Sequence, residues 1–220
     1  MDSKTIFKKI DYVWKRFRRK LKGQPRPEEL SEKVPKLKAL YQLYKEGLID
    51  LFFADESGFS LTAYIPYGWQ KIGKQVPILT QRKHIQNTFG LLNPSSKALH
   101  TYSTEGMINS EFICKSIDDF TTKIRKPTVI ILDNAPWHKS KMFIQAINGW
   151  NKKDVYIFHL PRYSPHLNLI ETLWRIIKYK WLRPEHYSSK TALKKRLKYI
   201  FSQFGHEFDI NFSMNFFEHI

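Results

Sequence analysis

Residues 128–161 read TVIILDNAPWHKSKMFIQAINGWNKKDVYIFHLP. Thr128 to Asp133 is almost wholly apolar, as a strand buried on both faces requires. Phe143, Ala146, Ile147 and Trp150 then recur on one helical face, and Val155 to Pro161 is a second apolar run. Strand, helix and strand within about 30 residues make a βαβ unit, with parallel strands and a right-handed crossover. Asn134 and Pro136 suit the start of the helix, Asn134 as its cap and Pro136 in its first turn.

The same reading extends outward. LIDLFFAD at 48–55 is a further buried strand, ending at Asp55. HIQNTFGLLN and KALHTYS flank the turn residues NPSS and read as an antiparallel hairpin. Ile113, Ile117, Phe120 and Ile124 mark a helix over 109–124, and Ile170, Leu173, Trp174 and Ile177 mark another over 169–182. A last basic helix covers about 189–204. The expected fold class is therefore α/β, a mixed sheet flanked by helices. Ahead of it, 1–22 is a basic amphipathic helix, GQPRP at 23–27 a linker, and 28–46 a helix with Leu37, Leu40 and Tyr44 on one side, bent or started by Pro35. Two parts are expected, a basic extension over 1–47 and the sheet domain over 48–220.

Composition narrows the function. Lys and Arg number 37 against 20 acidic residues, a net charge of +17, which calls for a polyanionic partner, nucleic acid before an anionic membrane surface. Residues 1–27 hold ten basic and two acidic side chains, and 171–204 hold nine and two. Blocks of this kind grip phosphates irrespective of base sequence. The single cysteine, Cys114, excludes an internal disulfide framework and a cysteine-rich zinc module. No apolar run approaches the roughly 20 residues of a membrane span, so a cytoplasmic protein is expected.

Against this basic background three carboxylates stand at element ends. Asp55 closes one strand, Asp133 closes another, and Glu171 opens a helix. Ligands of open α/β sheets bind beyond the carboxyl ends of the strands, so Asp55 and Asp133 face each other if their strands are neighbours. Glu56 competes with Asp55, but strand alternation turns it to the opposite face. Hard oxygen donors without a Cys or His cluster suit Mg²⁺, with Mn²⁺ as substitute. Two such ions can clamp the attacking and leaving oxygens of a phosphoryl displacement.

ADESGF with the later YGWQKIG, LDNAPWHKS, and LPRYSPHLNLIETLWRIIK resemble the signature blocks of a DDE transposase of the mariner superfamily, in its bacterial insertion-sequence branch. Asp133 and Glu171 lie 38 positions apart, similar to the spacing in that branch. The resemblance implies an RNase H-like fold, with Asp55, Asp133 and Glu171 as catalytic residues holding two Mg²⁺ ions. It implies cleavage of double-stranded DNA at element ends and transfer of the freed 3′-hydroxyl to target DNA. It also implies a homodimer in the DNA complex and a nucleoid-associated bacterial location. Members usually carry two N-terminal helix-turn-helix modules, and about 47 residues are too few for both. A separately encoded helix-turn-helix part, an excised domain or a decayed copy are the corresponding expectations. Leu169 stands where many relatives have proline.

Other residues are weighed against plainer roles. Arg175 and Lys178 share a helical face with Glu171, either as cations beside a DNA backbone or as a solvated face. His138 contacts a substrate phosphate or positions a ligand, while His159, in a strand, reads as a satisfied core histidine. Gly68 to Gln75 nearly spells a phosphate-binding loop but lacks the Ser/Thr after Lys74 and its strand–helix setting. Its Trp69, Lys71 and Lys74 remain as DNA contacts, or as a structural aromatic loop. Two other functions stay open: a DNA-binding protein derived from a transposase that no longer cuts, and an RNase H-fold nuclease that hydrolyses without strand transfer.

Overall fold

The apolar runs pair into one sheet. Its strands are β1 (Asp50–Ser60), β2 (His84–Leu92), β3 (Leu99–Thr104), β4 (Thr128–Leu132) and β5 (Val155–His159), in the spatial order β3-β2-β1-β4-β5. β1 runs antiparallel to β2 and β2 to β3, whereas β1–β4 and β4–β5 are parallel. The structure, a computed structural model, describes residues 26–63, 72 and 84–212. The expected basic helix over 1–22 lies outside the described residues, as does most of the linker.

Strand alternation divides the core in two. Leu51, Phe53, Val129 and Ile131 enter one cluster, covered by α1 (Pro27–Lys45), α4 (Leu169–Ile176) and α5 (Lys190–Ser202). Phe52, Ala54, Ile130 and Leu132 enter the other, covered by α2 (Ser110–Thr121) and α3 (Lys141–Asn151). Period two along the strands requires this division. In α1, Leu37, Tyr41 and Tyr44 are buried with the sheet residues of the first cluster. Pro35 sits within this continuous helix, and Pro27 opens it, where a missing N–H costs nothing. Among the described residues no helix is long and apolar enough to cross a membrane.

Three local expectations are corrected. β1 does not end at Asp55 but continues to Ser60, because β2 goes on pairing with it after β4 has stopped. β5 is not buried on both faces: it is an edge strand, and Tyr156 is exposed. Asn134 does not cap a helix. A short 3₁₀ turn over Pro136–Lys139 intervenes, and Ser140 caps α3 by accepting from Phe143 N–H at 3.2 Å.

Candidate active site

Parallel pairing of β1 with β4 begins at Asp50 and Thr128 and ends at Phe53 and Ile131. Leu51, Phe53, Val129 and Ile131 share one face of the sheet. The next residues on that face are Asp55 and Asp133. They come where β4 has ended, so the strands are free to part there, while β1 stays registered on β2 through Asp55 and Gly90. An apolar ladder thus delivers two carboxylates to the mouth of the sheet.

Glu171 arrives from the same side. It lies in the first turn of α4, whose apolar face buries Ile170, Leu173 and Trp174 on the sheet. The preceding Asn168 does not cap α4 with its side chain but donates Nδ2 to the Ala54 carbonyl at 3.0 Å. Asp133 and Glu171 line one groove of about 460 Å³, with Asn134, Lys139, Arg162 and Tyr163 on its walls. Its loop is tied to α1: Lys33 Nζ donates to the Leu160 carbonyl at 3.3 Å, and Arg162 N–H donates to Glu29 Oε2 at 3.0 Å.

The three acids feel one another. Burial pushes the Asp55 carboxyl well above its ordinary value, and the charges of Glu56, Glu171 and Asp133 add to the rise. Burial and Asp133 raise Glu171, partly offset by Lys178 and Arg175. Burial would also raise Asp133, but hydrogen bonds from His138 and Ala135 N–H, with the His138 charge, leave it below its ordinary value. Buried His138 would lose its proton, yet its bonds to Asp133 and Glu56 raise it to about 9.

This donor set, two carboxylates raised by burial and neighbouring charge and a third held by His138, fits hard divalent cations in kind. Among the described residues, however, no three His, Cys, Asp or Glu side chains stand in a ready metal-holding arrangement.

The remaining expectations divide. His138 is 1% exposed and bonded to Asp133 and Glu56, so it has no surface for a DNA phosphate and holds a carboxylate instead. His159 is half-buried and donates Nδ1 to the Asp133 carbonyl at 3.1 Å. Arg175 is exposed beside Glu171. Lys178 is half-buried, with Nζ 5.3 Å from the centre of the Phe59 ring. Burial lowers its pKa against the pull of Asp55 and Glu171. Its charge is felt by Asp55 and Glu171, in keeping with the face that helical spacing gives it, although the helix loosens into a π turn over Ile177–Trp181. Trp69, Lys71 and Lys74 lie outside the described residues. Sequence reasoning dismissed Glu56 and did not single out Asn168. Alternation along β1 gives the face of Glu56 but not its partner His138, 82 residues away, and nothing local points to Asn168.

A five-stranded mixed sheet of this order, with helices on both faces, is an RNase H-like fold. The chain belongs to the DDE superfamily endonucleases, a family that matches residues 50–194. No curated protein matches it. Among solved structures it is similar to a Mos1 transposase paired-end complex with left transposon end, at 14% identity and a TM-score of 0.61, over 93% of this chain and 63% of that one. A Mos1 mariner paired end complex with Mn gives 13% identity and 0.60, over 98% and 65%. The catalytic domain of Mos1 mariner transposase gives 13% and 0.53, over 90% and 89%. The chain therefore spans less than two thirds of the first two relatives' length, and at these identities the likeness is one of fold.

Proposed function

We propose that residues 48–220 form the catalytic domain of a transposase of the mariner superfamily, in its bacterial insertion-sequence branch. It cuts double-stranded DNA at element ends and transfers the freed 3′-hydroxyl to target DNA. Asp55, Asp133 and Glu171 are its catalytic carboxylates and hold two Mg²⁺ ions, for which Mn²⁺ substitutes. The observation that carries this is the placing of Asp55 and Asp133 as the next same-face residues past the β1–β4 ladder, with Glu171 in electrostatic reach. Family membership and the +17 charge support it. So does the likeness to a complex that holds a transposon end.

When bound, the cations lower the pKa of the attacking hydroxyl and neutralise charge on the leaving oxygen. The chain's own residues do the rest. Asp55 and Asp133 are the next same-face residues after the last paired residues of β1 and β4, Phe53 and Ile131, and Asn168 ties the start of α4 to β1. Lys139, Arg162 and Arg175 surround the acids with positive charge that suits a phosphate backbone. A homodimer that brings two ends together, and a separately encoded helix-turn-helix part, complete the proposal.

The test is cleavage and joining of a duplex carrying element ends in Mg²⁺ or Mn²⁺, by the parent and by Asp133→Asn. Loss of both products in the variant is expected, and equal activity refutes the assignment. Hydrolysis without a new phosphodiester bond identifies a nuclease instead. Salt-dependent binding with no product identifies a silent DNA-binding protein.

A further inference from the structure

Glu56 follows Asp55 on β1 and therefore projects to the other face of the sheet, away from the groove. There its Oε1 accepts from Trp137 Nε1 at 3.0 Å and meets His138 Nε2 at 3.0 Å. The opposite ring nitrogen of His138, Nδ1, meets Asp133 Oδ1 at 3.1 Å. The His138 ring is enclosed, with Phe143 packed on it at 5.6 Å between centroids. Asp133 Oδ1 also accepts from Ala135 N–H at 2.9 Å. All described hydrogen bonds of the Asp133 carboxylate thus fall on Oδ1, and Asp133 lines the groove.

We propose that Glu56 is a positioning residue for the cation site, acting through His138 to lock Asp133 so that one oxygen is committed to the protein and the other is presented. The inference rests on Asp55, Asp133 and Glu171 being that site, and extends it through the sheet to a carboxylate that touches neither substrate nor metal. The physical logic is that of an outer shell. A ligand whose far side is hydrogen-bonded loses less orientational freedom when it binds, and partners of this kind commonly contribute about 10–100-fold in metal affinity. Two carboxylates on opposite nitrogens also hold the imidazole more rigidly than one would, since ring flipping would break both bonds. Trp137 completes the arrangement by fixing Glu56 in turn.

The test uses Mn²⁺ alone as probe, titrated into the full chain without DNA and followed by electron paramagnetic resonance, with the unfolding midpoint measured alongside. Glu56→Gln keeps the shape and removes the charge. It is expected to weaken Mn²⁺ binding about tenfold. Trp137→Phe keeps an aromatic side chain, though a smaller one, and removes the donor to Glu56, and a few-fold weakening is expected. It serves as the test if Glu56→Gln does not fold. Asp133→Asn is the reference and abolishes binding. Parent-like Mn²⁺ affinity in the folded Glu56 and Trp137 variants, with Asp133→Asn still defective, overturns the positioning role alone. That holds even if their unfolding midpoints move. Equal binding by the parent and Asp133→Asn removes the cation site itself, and the proposal with it.

Discussion

Asn168 donates its side-chain amide to the carbonyl of Ala54 across 3.0 Å, tying the start of α4 to β1 one residue before Asp55. The bond is buried, and it spans two elements that carry different members of the acidic trio. The distance between Asp55 and Glu171 is therefore set by backbone architecture rather than by the acids, whose charges push them apart. Such preorganisation is what chemistry on a phosphodiester needs.

Asn168→Ala removes this tether and leaves a buried carbonyl unpaired, which costs about 1–3 kcal/mol of stability. Activity is expected to fall further than stability alone explains, since α4 and Glu171 loosen relative to β1. Denaturant unfolding beside end-cleavage rates measures both. A variant that is destabilised but cuts at the parental rate when fully folded contradicts the positioning role.

Gly90 faces Asp55 across the β1–β2 pair and packs beneath α4. A methyl group there would come 2.7 Å from Trp174 Cζ2 and 3.0 Å from Ile170 Cδ1. The indole is rigid and buried, so α4 itself must shift. Gly90→Ala is expected to destabilise by about 1–3 kcal/mol through overpacking, and to reduce activity by moving Glu171 with its helix. An unchanged denaturation midpoint would show that the contact relaxes freely.

These two residues mark where the sequence stops being legible. The strands and helices were readable because each carries a local apolar period, and Asp55, Asp133 and Glu171 stand out as acids after apolar runs. Whether a run is central or at an edge depends on neighbours far along the chain, so β5 looked buried on both faces although it is an edge strand. The length of β1 was hidden for the same reason, since its second half is held by β2. Glu56 and His138 lie 82 residues apart, and no periodicity links them. The π turn over Ile177–Trp181 that ends α4 leaves no local mark in the sequence.

Glu105, just beyond β3, pairs with both Lys190 and Lys194 of α5, and these bonds hold its carboxyl down at about 2 against an ordinary 4.5. A folded-state value below the unfolded one stabilises wherever the carboxylate is ionised, and that contribution is lost as pH falls from about 4.5 through about 2. The melting-temperature gap between the parent and Glu105→Gln should therefore be full at neutral pH and close on acidification. Because the pair is exposed, the gap should be small and shrink with added salt. A gap independent of both pH and salt would assign the effect of Glu105 to something other than charge.

Asp55 and Asp133 sit in opposite electrostatic settings although both belong to the proposed site. Asp55 is surrounded by like charge, and burial deprives it of solvent, so its ionised form works against the fold. Asp133 is held by His138 and Ala135 N–H, so its ionised form works for the fold. Neutralising each in the absence of divalent cations should give effects of opposite sign. Asp55→Asn is expected to raise stability by about 0.5–2 kcal/mol, as when a strained functional group is relaxed. Asp133→Asn should lower it by about 1 kcal/mol, reduced from a full charge-assisted bond because the side chain is half exposed. Under the proposed function both variants are expected to lose strand cleavage. Denaturant unfolding with a chelator present reads the two signs directly, and the same sign for both would mean that the carboxylate cluster is not the source of repulsion inferred from its geometry. With divalent cation restored, the advantage of Asp55→Asn should narrow, because a cation relieves in the parent the repulsion that the substitution removes.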